Sequence, residues 1–416
     1  MLTLPDTATL LPQTHTLAGG TVYAYPSSST DLVKLDLLYE AGSAYQPQPL
    51  CAAAANHLFT VASGDMDARQ MAEFMDYRGI VIDRGADTLC CSTSFYFLRR
   101  YLDELLPVIH CLVNRPAFPP DHLDAFLHKR QQELLANRLK SREVARRLFY
   151  ETLFGPKHPL GRYAVPDDAL RLGRDTVMRF FHERFRLRSM IVSGNVDEHL
   201  IASLSPLADN VSQPRIDSLA LSMPSPLPSA PVTMAIDGAV QTTLRVGRIV
   251  PAAIGWDTLD YARFMLLNTL LGGYFGSRLM GNLREDKGYT YGIQSCTQIY
   301  RGVIVFFIVT DVAAASAVAA EGEIRRELQR LCEEPVPEEE LATVKTVLAG
   351  DFIRSVDGVF ERSERLRGML SSDVSETFTD NLREALLTTT PGHLLDLARR
   401  LLSPDAMLYC RAGAVG

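Results

Sequence analysis

One succession of elements occurs twice in this chain: helix, glycine, helix, glycine, strand, strand, helix. "PLCAAAANHLFTVASGD" has helical composition and stops at Gly64, "DARQMAEFMDYRGI" is a second helix stopping at Gly79, and "IVIDRGADTLCCSTSFYF" reads as two strands around a Gly-containing turn. "LDELLPVIHCLVNRPAF" follows with apolar residues at helical spacing, despite Pro107. The second copy lies 209 positions on, with "LDYARFMLLNTLLGG" ending at Gly273 and "SRLMGNLREDKG" at Gly288. "YTYGIQSCTQ" and "GVIVFFIVT" then read as strands, and "AAEGEIRRELQRLCEE" as a helix. A repeat of this length is a domain rather than a solenoid unit. Strand runs with helix pairs predict an α+β fold, two homologous domains each with a mostly antiparallel sheet covered by helices. A chain of 416 residues is long enough for two cores.

The remaining segments fit that plan. "GTVYAYPSS" and "LVKLDLLYEAGS" read as a hairpin, Asp121 to about Leu153 as one long charged helical stretch, and "SMIVSGNV" as a short apolar strand. Pro and Ser concentrate in 205–232, where periodicity is lost. This predicts a semi-extended linker between an N-terminal domain, 1–204, and a C-terminal domain, 233–416, with a cleft between them for a ligand.

The formal net charge is -7 with no long basic run, so nucleic acid is not an expected partner. Seven cysteines without C-x-x-C spacing read as buried reduced thiols. The first 20 residues lack the basic and apolar regions of a signal peptide, and no apolar run would span a membrane, so the expected location is cytoplasmic.

"NLREDKGYTYG", residues 282–292, carries the chemistry that stands out. Arg284 falls near a helix end and offers a rigid fork of donors for carboxylate or carbonyl oxygens. Strand periodicity puts Tyr289 and Tyr291 on one face, where a phenol can donate to developing negative charge. The set suits a grip on a peptide. The alternative is that Arg284 pairs with a neighbouring carboxylate while the tyrosines pack the sheet.

"QTTLRVGRIV" followed by "LNTLLGGYFGSRLMGNLREDKGYTYGIQS" resembles the C-terminal domain of M16 metallopeptidases, the family of pitrilysin, insulysin and the mitochondrial processing peptidase. "LYEAGSAYQ", "FGPKHPLGR", "MIVSGNVD" and "AMLYCRAGA" extend the resemblance over most of the chain. It implies two homologous α+β domains and carries the family's substrate-contacting arginine–tyrosine pair onto Arg284 and Tyr291. It also implies an inverted zinc motif, H-x-x-E-H, on the first helix of the N-terminal domain. There two histidines one helical turn apart bind Zn²⁺ and the Glu activates its water. Counting back from Gly64 puts that motif at Ala55, Leu58 and Phe59, which lack every ligand. His57 then falls where the resembled family has no ligand. The family's distant glutamate maps to Glu133, expected as a vestige on a helix surface. His122 and His128 are six apart, on different helix faces, and no other His pair has ligand spacing.

These observations predict no catalytic zinc in this chain. The leading expectation is a non-catalytic subunit that grips peptide with Arg284 and Tyr291 while a zinc-bearing M16-like partner, or a second copy in a dimer, completes the assembly. A scaffold with remnant residues, and a stand-alone peptidase with another metal site, are the alternatives.

Overall fold

The computed structural model describes residues 4–17, 20–208, 227, 228 and 230–414. Among these residues eleven strands form two sheets. β1 (Gln13–Leu17), β2 (Gly20–Pro26), β3 (Leu32–Tyr39), β4 (Val81–Ala86), β5 (Cys91–Leu98) and β6 (Leu187–Gly194) make the first, in the order β1-β2-β6-β3-β5-β4. β7 (Val232–Ala235), β8 (Gln241–Ile249), β9 (Ile293–Tyr300), β10 (Val303–Ala313) and β11 (Leu408–Gly413) make the second, in the order β7-β11-β8-β10-β9. With β1 set aside, the two orders are the same. Each sheet is antiparallel except for one parallel pair, β2 with β6 and β7 with β11. The expected α+β fold and its repeat are present.

The expected hairpin of the first two apolar strands is not. β2 and β3 are parted by β6, whose residues lie more than 140 positions later, so Val33 to Tyr39 pair with 187–194 and not with 20–26. A short connection does not force pairing when a third strand can bury more apolar edge between the two. The stretch from Asp121 is likewise two helices, Pro120–Asn137 and Ser141–Phe154, broken at 138–140. Most of the expected linker 205–232 lies outside the described residues. Of its ends, Ser205–Ala208 is helical and Val232 opens β7.

The sheets do not keep to their own halves for cover. The Ser141–Phe154 helix of the first half packs Phe149, Tyr150 and Leu153 onto Val305, Leu408 and Cys410 of the second sheet. The Val359–Ser372 helix of the second half packs Leu366 onto Tyr25, Leu38 and Ile191 of the first. A sheet buried on both faces needs two layers of cover, and here each half supplies one layer to the other. This exchange fixes the two halves against each other over two apolar surfaces.

Of the seven cysteines, Cys51, Cys90, Cys91 and Cys410 are buried, and all seven are free. Cys111 departs from the expected apolar setting: it is half-buried, with its thiol donating to Asp65 Oδ2 at 2.9 Å. Among the described residues no helix is long and apolar enough to cross a membrane.

Candidate functional site

The helix expected to carry the metal motif is Cys51–Leu58. It starts where Leu50 turns into the left-handed region at φ 71°, and the Gln46 side chain accepts from the Ala52 N–H at 3.1 Å. Its four alanines let it lie close against β4 and β5. Asn56 ties it there: its amide donates to the carbonyls of Gly85 (2.8 Å) and Ser92 (3.0 Å) and accepts from the Thr93 hydroxyl (2.9 Å).

The structure corrects the placement of the degenerate motif. Ala55, Leu58 and Phe59 have no exposed surface and belong to the core of the first half. Phe59 sits edge-on to Tyr39 (5.8 Å between ring centres) and tilted against Phe181 (5.5 Å). With Ala62 these residues form an i, i+3, i+4, i+7 stripe, a core face of the helix. The residues that share a pocket of about 540 Å³ with Glu133 are Ala53, Asn56 and His57. Their spacing is that of H-x-x-E-H, shifted by two positions from the expected place. His57, set aside from the sequence, is therefore the side chain nearest in kind to a surviving ligand.

The pocket residues do not fit a zinc ion. Of the motif's three positions only one holds a ligand type, and Asn56 is consumed by three hydrogen bonds. Glu133 is held by Arg130 at 2.7 Å. No group of three or more His, Cys, Asp and Glu with metal-binding placement occurs among the described residues. The His57 ring stacks on Phe126 at 5.1 Å. Burial, then the positive charges of Arg84, Arg130, His122 and Lys129, lower its pKa to about 4. A ring in that field is neutral at ordinary pH, and the surroundings oppose adding another cation.

A second pocket, about 600 Å³, opens beside the first. Asn137 borders the first and Arg142 the second, so at most about 18 Å of chain separates them. Tyr274, Phe275, Tyr291 and Gln294 line its walls, with Arg142 and Asp311 facing each other at 3.4 Å.

Here the structure changes the geometry expected for the tyrosines. Met280–Asp286 is a π-helical turn, Gly288 takes φ +62°, and strand β9 begins only at Ile293. Tyr289 and Tyr291 therefore precede the strand and do not share a face. Tyr289 packs against the core of the second half, whereas Tyr291 is 94% exposed. Between them Thr290 pins the loop: its hydroxyl bonds to the carbonyls of Gly292 and Asp311, both at 2.9 Å, and accepts from Thr310. Sequence reasoning missed this lock, although a Thr between a tyrosine that packs inward and one that points outward is its visible trace. Arg284 lies over the ring of Phe275, with its guanidinium 4.5 Å from the centre and Nε 3.6 Å from Glu285 Oε1. So Arg284 lies on the exposed ring of Phe275, which lines the second pocket together with Tyr291, while Tyr289 is not among the residues lining it.

Residues 173–348 match the family model described as Peptidase M16 inactive domain. The chain is M16-like. Its fold superposes on the crystal structure of a peptidase M16 inactive domain from Pseudomonas fluorescens with a TM-score of 0.83, at 20% identity, covering 97% of this chain and 98% of that one. A protease from Helicobacter pylori gives a TM-score of 0.84 at 18% identity, covering 97% and 100%. In sequence, an uncharacterized zinc protease of Streptomyces coelicolor is 24% identical over 268 residues, 61% of this chain and 57% of that protein. The chain thus spans less than two thirds of that relative's length.

Proposed function

We propose that this M16-like chain is the non-catalytic, substrate-binding subunit of a two-chain zinc peptidase. In this reading Arg284 and Tyr291 grip peptide, a partner chain brings the metal, and this chain brings none. The observation that carries the reading is the opposition of the two pockets. One has the spacing of the metal motif filled by Ala53, Asn56 and a neutral His57. The other presents Tyr291 almost wholly to solvent on a loop locked by Thr290 and Thr310. A tyrosine with 94% of its surface exposed contributes little to folding, while its loop is held in place by side-chain hydrogen bonds. A peptide has a further place to lie: among the described residues β4 pairs only with β5, so its outer edge is open beside the first pocket.

The scaffold reading has one observation of its own, the stacking of Arg284 on Phe275, which occupies the guanidinium face without substrate. Reconstitution separates the two. The purified chain is assayed for metal content and for turnover of a mixed peptide library, alone and with a co-expressed M16-like chain bearing H-x-x-E-H. The expected result is no turnover alone, turnover on mixing, and a drop of about 10- to 100-fold for Arg284→Ala or Tyr291→Phe in the mixture. Unchanged turnover by both variants with intact assembly refutes the grip. Stoichiometric zinc and turnover by the chain alone refute the division of labour.

A further inference from the structure

The pocket at the degenerate motif has a feature that the grip at the second pocket does not use. Its charges do not cancel in place. Glu133 is answered by Arg130. Asp83 accepts the Arg84 backbone N–H at 2.9 Å, borders the same pocket and acts on the Arg84 charge from a distance, as it does on Tyr96, without pairing with the guanidinium. Arg84 shares the pocket face with Ile82 and Ala86. Its Nε donates to the Thr60 hydroxyl at 2.6 Å, and Thr60 is in turn fixed by donating to the His57 carbonyl at 2.9 Å. The guanidinium is thereby oriented from one side. Among the described residues it makes no ion pair. Beside it are the flat faces of His57 and Phe126, stacked at 5.1 Å.

A half-buried guanidinium, aimed by one hydrogen bond and with no carboxylate at ion-pair distance among the described residues, is a preformed fork for a planar anion. We infer that the pocket formed by Ala53, His57, Arg84 and Phe126 binds a carboxylate of the peptide substrate, its C-terminal group or an acidic side chain. The low pKa of His57 agrees with this, since every charged neighbour that shifts it is basic. Ala53, standing where the motif spacing calls for a histidine, leaves the pocket open at that point, and a carboxylate needs no metal once a guanidinium faces it. In such a chain the site that would cut instead measures the end of the peptide. The inference rests on the reading of this chain as a peptide-binding subunit and adds the chemical class it selects.

The test is a titration of the full chain with three fluorescein-labelled hexapeptide mixtures: free C-terminus, amidated C-terminus, and amidated with glutamate at the last position. The expected result is that free-acid peptides bind about 10- to 100-fold more tightly than the amidated ones, the range of one charge-assisted hydrogen-bonded pair. Glutamate-ended amides equal to the free acids identify the side chain as the recognised source, and glutamate-ended amides no better than plain amides identify the terminus. Arg84→Gln removes the preference, and Arg84→Lys, which keeps the charge without the fork, keeps a smaller part of it. The lysine variant and a melting curve separate loss of binding from loss of fold. Wild-type chain that binds acid and amide alike overturns the inference and leaves peptide binding standing. Binding of none of the mixtures, with or without a zinc-bearing partner, overturns both.

Discussion

Asp36 on β3 and Arg245 on β8 occupy the same place in the two halves, 209 positions apart, each beneath the helix that the other half lends. They are stabilised in opposite ways. Asp36 has no exposed surface and is met by Lys34 Nζ at 2.6 Å, and that ammonium also reaches Glu364 on the exchanged helix at 2.8 Å. Ser94 donates to the remaining oxygen of Asp36. Arg245 has no carboxylate within reach among the described residues. It lies on the ring of Phe307 at 3.9 Å, with Phe149 and Tyr150 of the exchanged helix at 5.3 and 5.4 Å, and its Nε is unsatisfied. One fold position therefore accepts an anion in an ion triad or a cation in an aromatic cage. The backbone plan fixes which helix covers the position, and the neighbours decide what charge it tolerates.

The comparison breaks most visibly at Lys34. Lys34→Met strands a buried carboxylate and is expected to lower unfolding free energy by about 3–5 kcal/mol, whereas Lys34→Met with Asp36→Leu should recover most of that loss. Arg245→Met removes a cation that has only ring faces and leaves no charge behind, so the expected change is about 2 kcal/mol or less. Urea unfolding of the three variants measures both. A loss at Arg245 as large as that at Lys34 would mean that the cage hides a partner charge, and the two positions would not differ as described.

A second comparison concerns the motif helix and its counterpart. Ala53, Asn56 and His57 correspond to Ala262, Met265 and Leu266 on the Leu259–Asn268 helix, where no polar trace remains. The first half is thus one residue short of a ligand trio and the second has none. Ala53→His places two imidazoles one turn apart facing Glu133, three ligands with the spacing zinc requires. This variant should take up zinc and gain melting temperature on its addition, with no such gain for wild type. Ala55→His with Phe59→His, the pair chosen by the count from Gly64, should instead lose about 3–5 kcal/mol of stability or more and bind no metal, because both positions lie in the core and the Phe59 ring fills its aromatic part. Zinc uptake by that double variant and none by Ala53→His would restore the original placement.

Those outcomes also mark what the sequence could show. The repeat was legible because glycine terminators punctuate both copies at one offset. The core stripe of Ala55, Leu58, Phe59 and Ala62 is legible too, but a count from a glycine ignores the helical period and leaves His57 outside the motif. Insertion of β6 between β2 and β3 was not legible, since neighbouring apolar strands look paired until a distant one is placed. Exchange of the two covering helices was equally hidden, because an amphipathic face records that it is buried and not against which sheet. The Tyr289–Tyr291 alternation misled for a local reason: Gly288 and the hydroxyl bonds of Thr290 hold those residues out of the strand.

The last comparison is a pH dependence that belongs to the first half's motif helix alone. His57 is held near pKa 4, below its ordinary 6.5, by burial and then by Arg84, Arg130, His122 and Lys129. No carboxylate is among the groups that shift it. Between those two values the unfolded chain binds the proton that the folded chain refuses. Stability therefore rises with pH across the window and falls as pH drops from about 6.5 toward about 4, below which the loss is complete. His57→Gln keeps a polar side chain without a titrating ring and should flatten this part of the profile. Leu266→Gln, at the matching place in the second half, should cost a similar amount at every pH, because nothing there titrates. The urea midpoint measured at several pH values between 7.5 and 4 supplies the check, taken as the difference between each variant and wild type so that the common carboxylate titration cancels. A wild-type and His57→Gln pair with parallel profiles would show that the ring is not held neutral, and would remove the positive field from the account of the pocket.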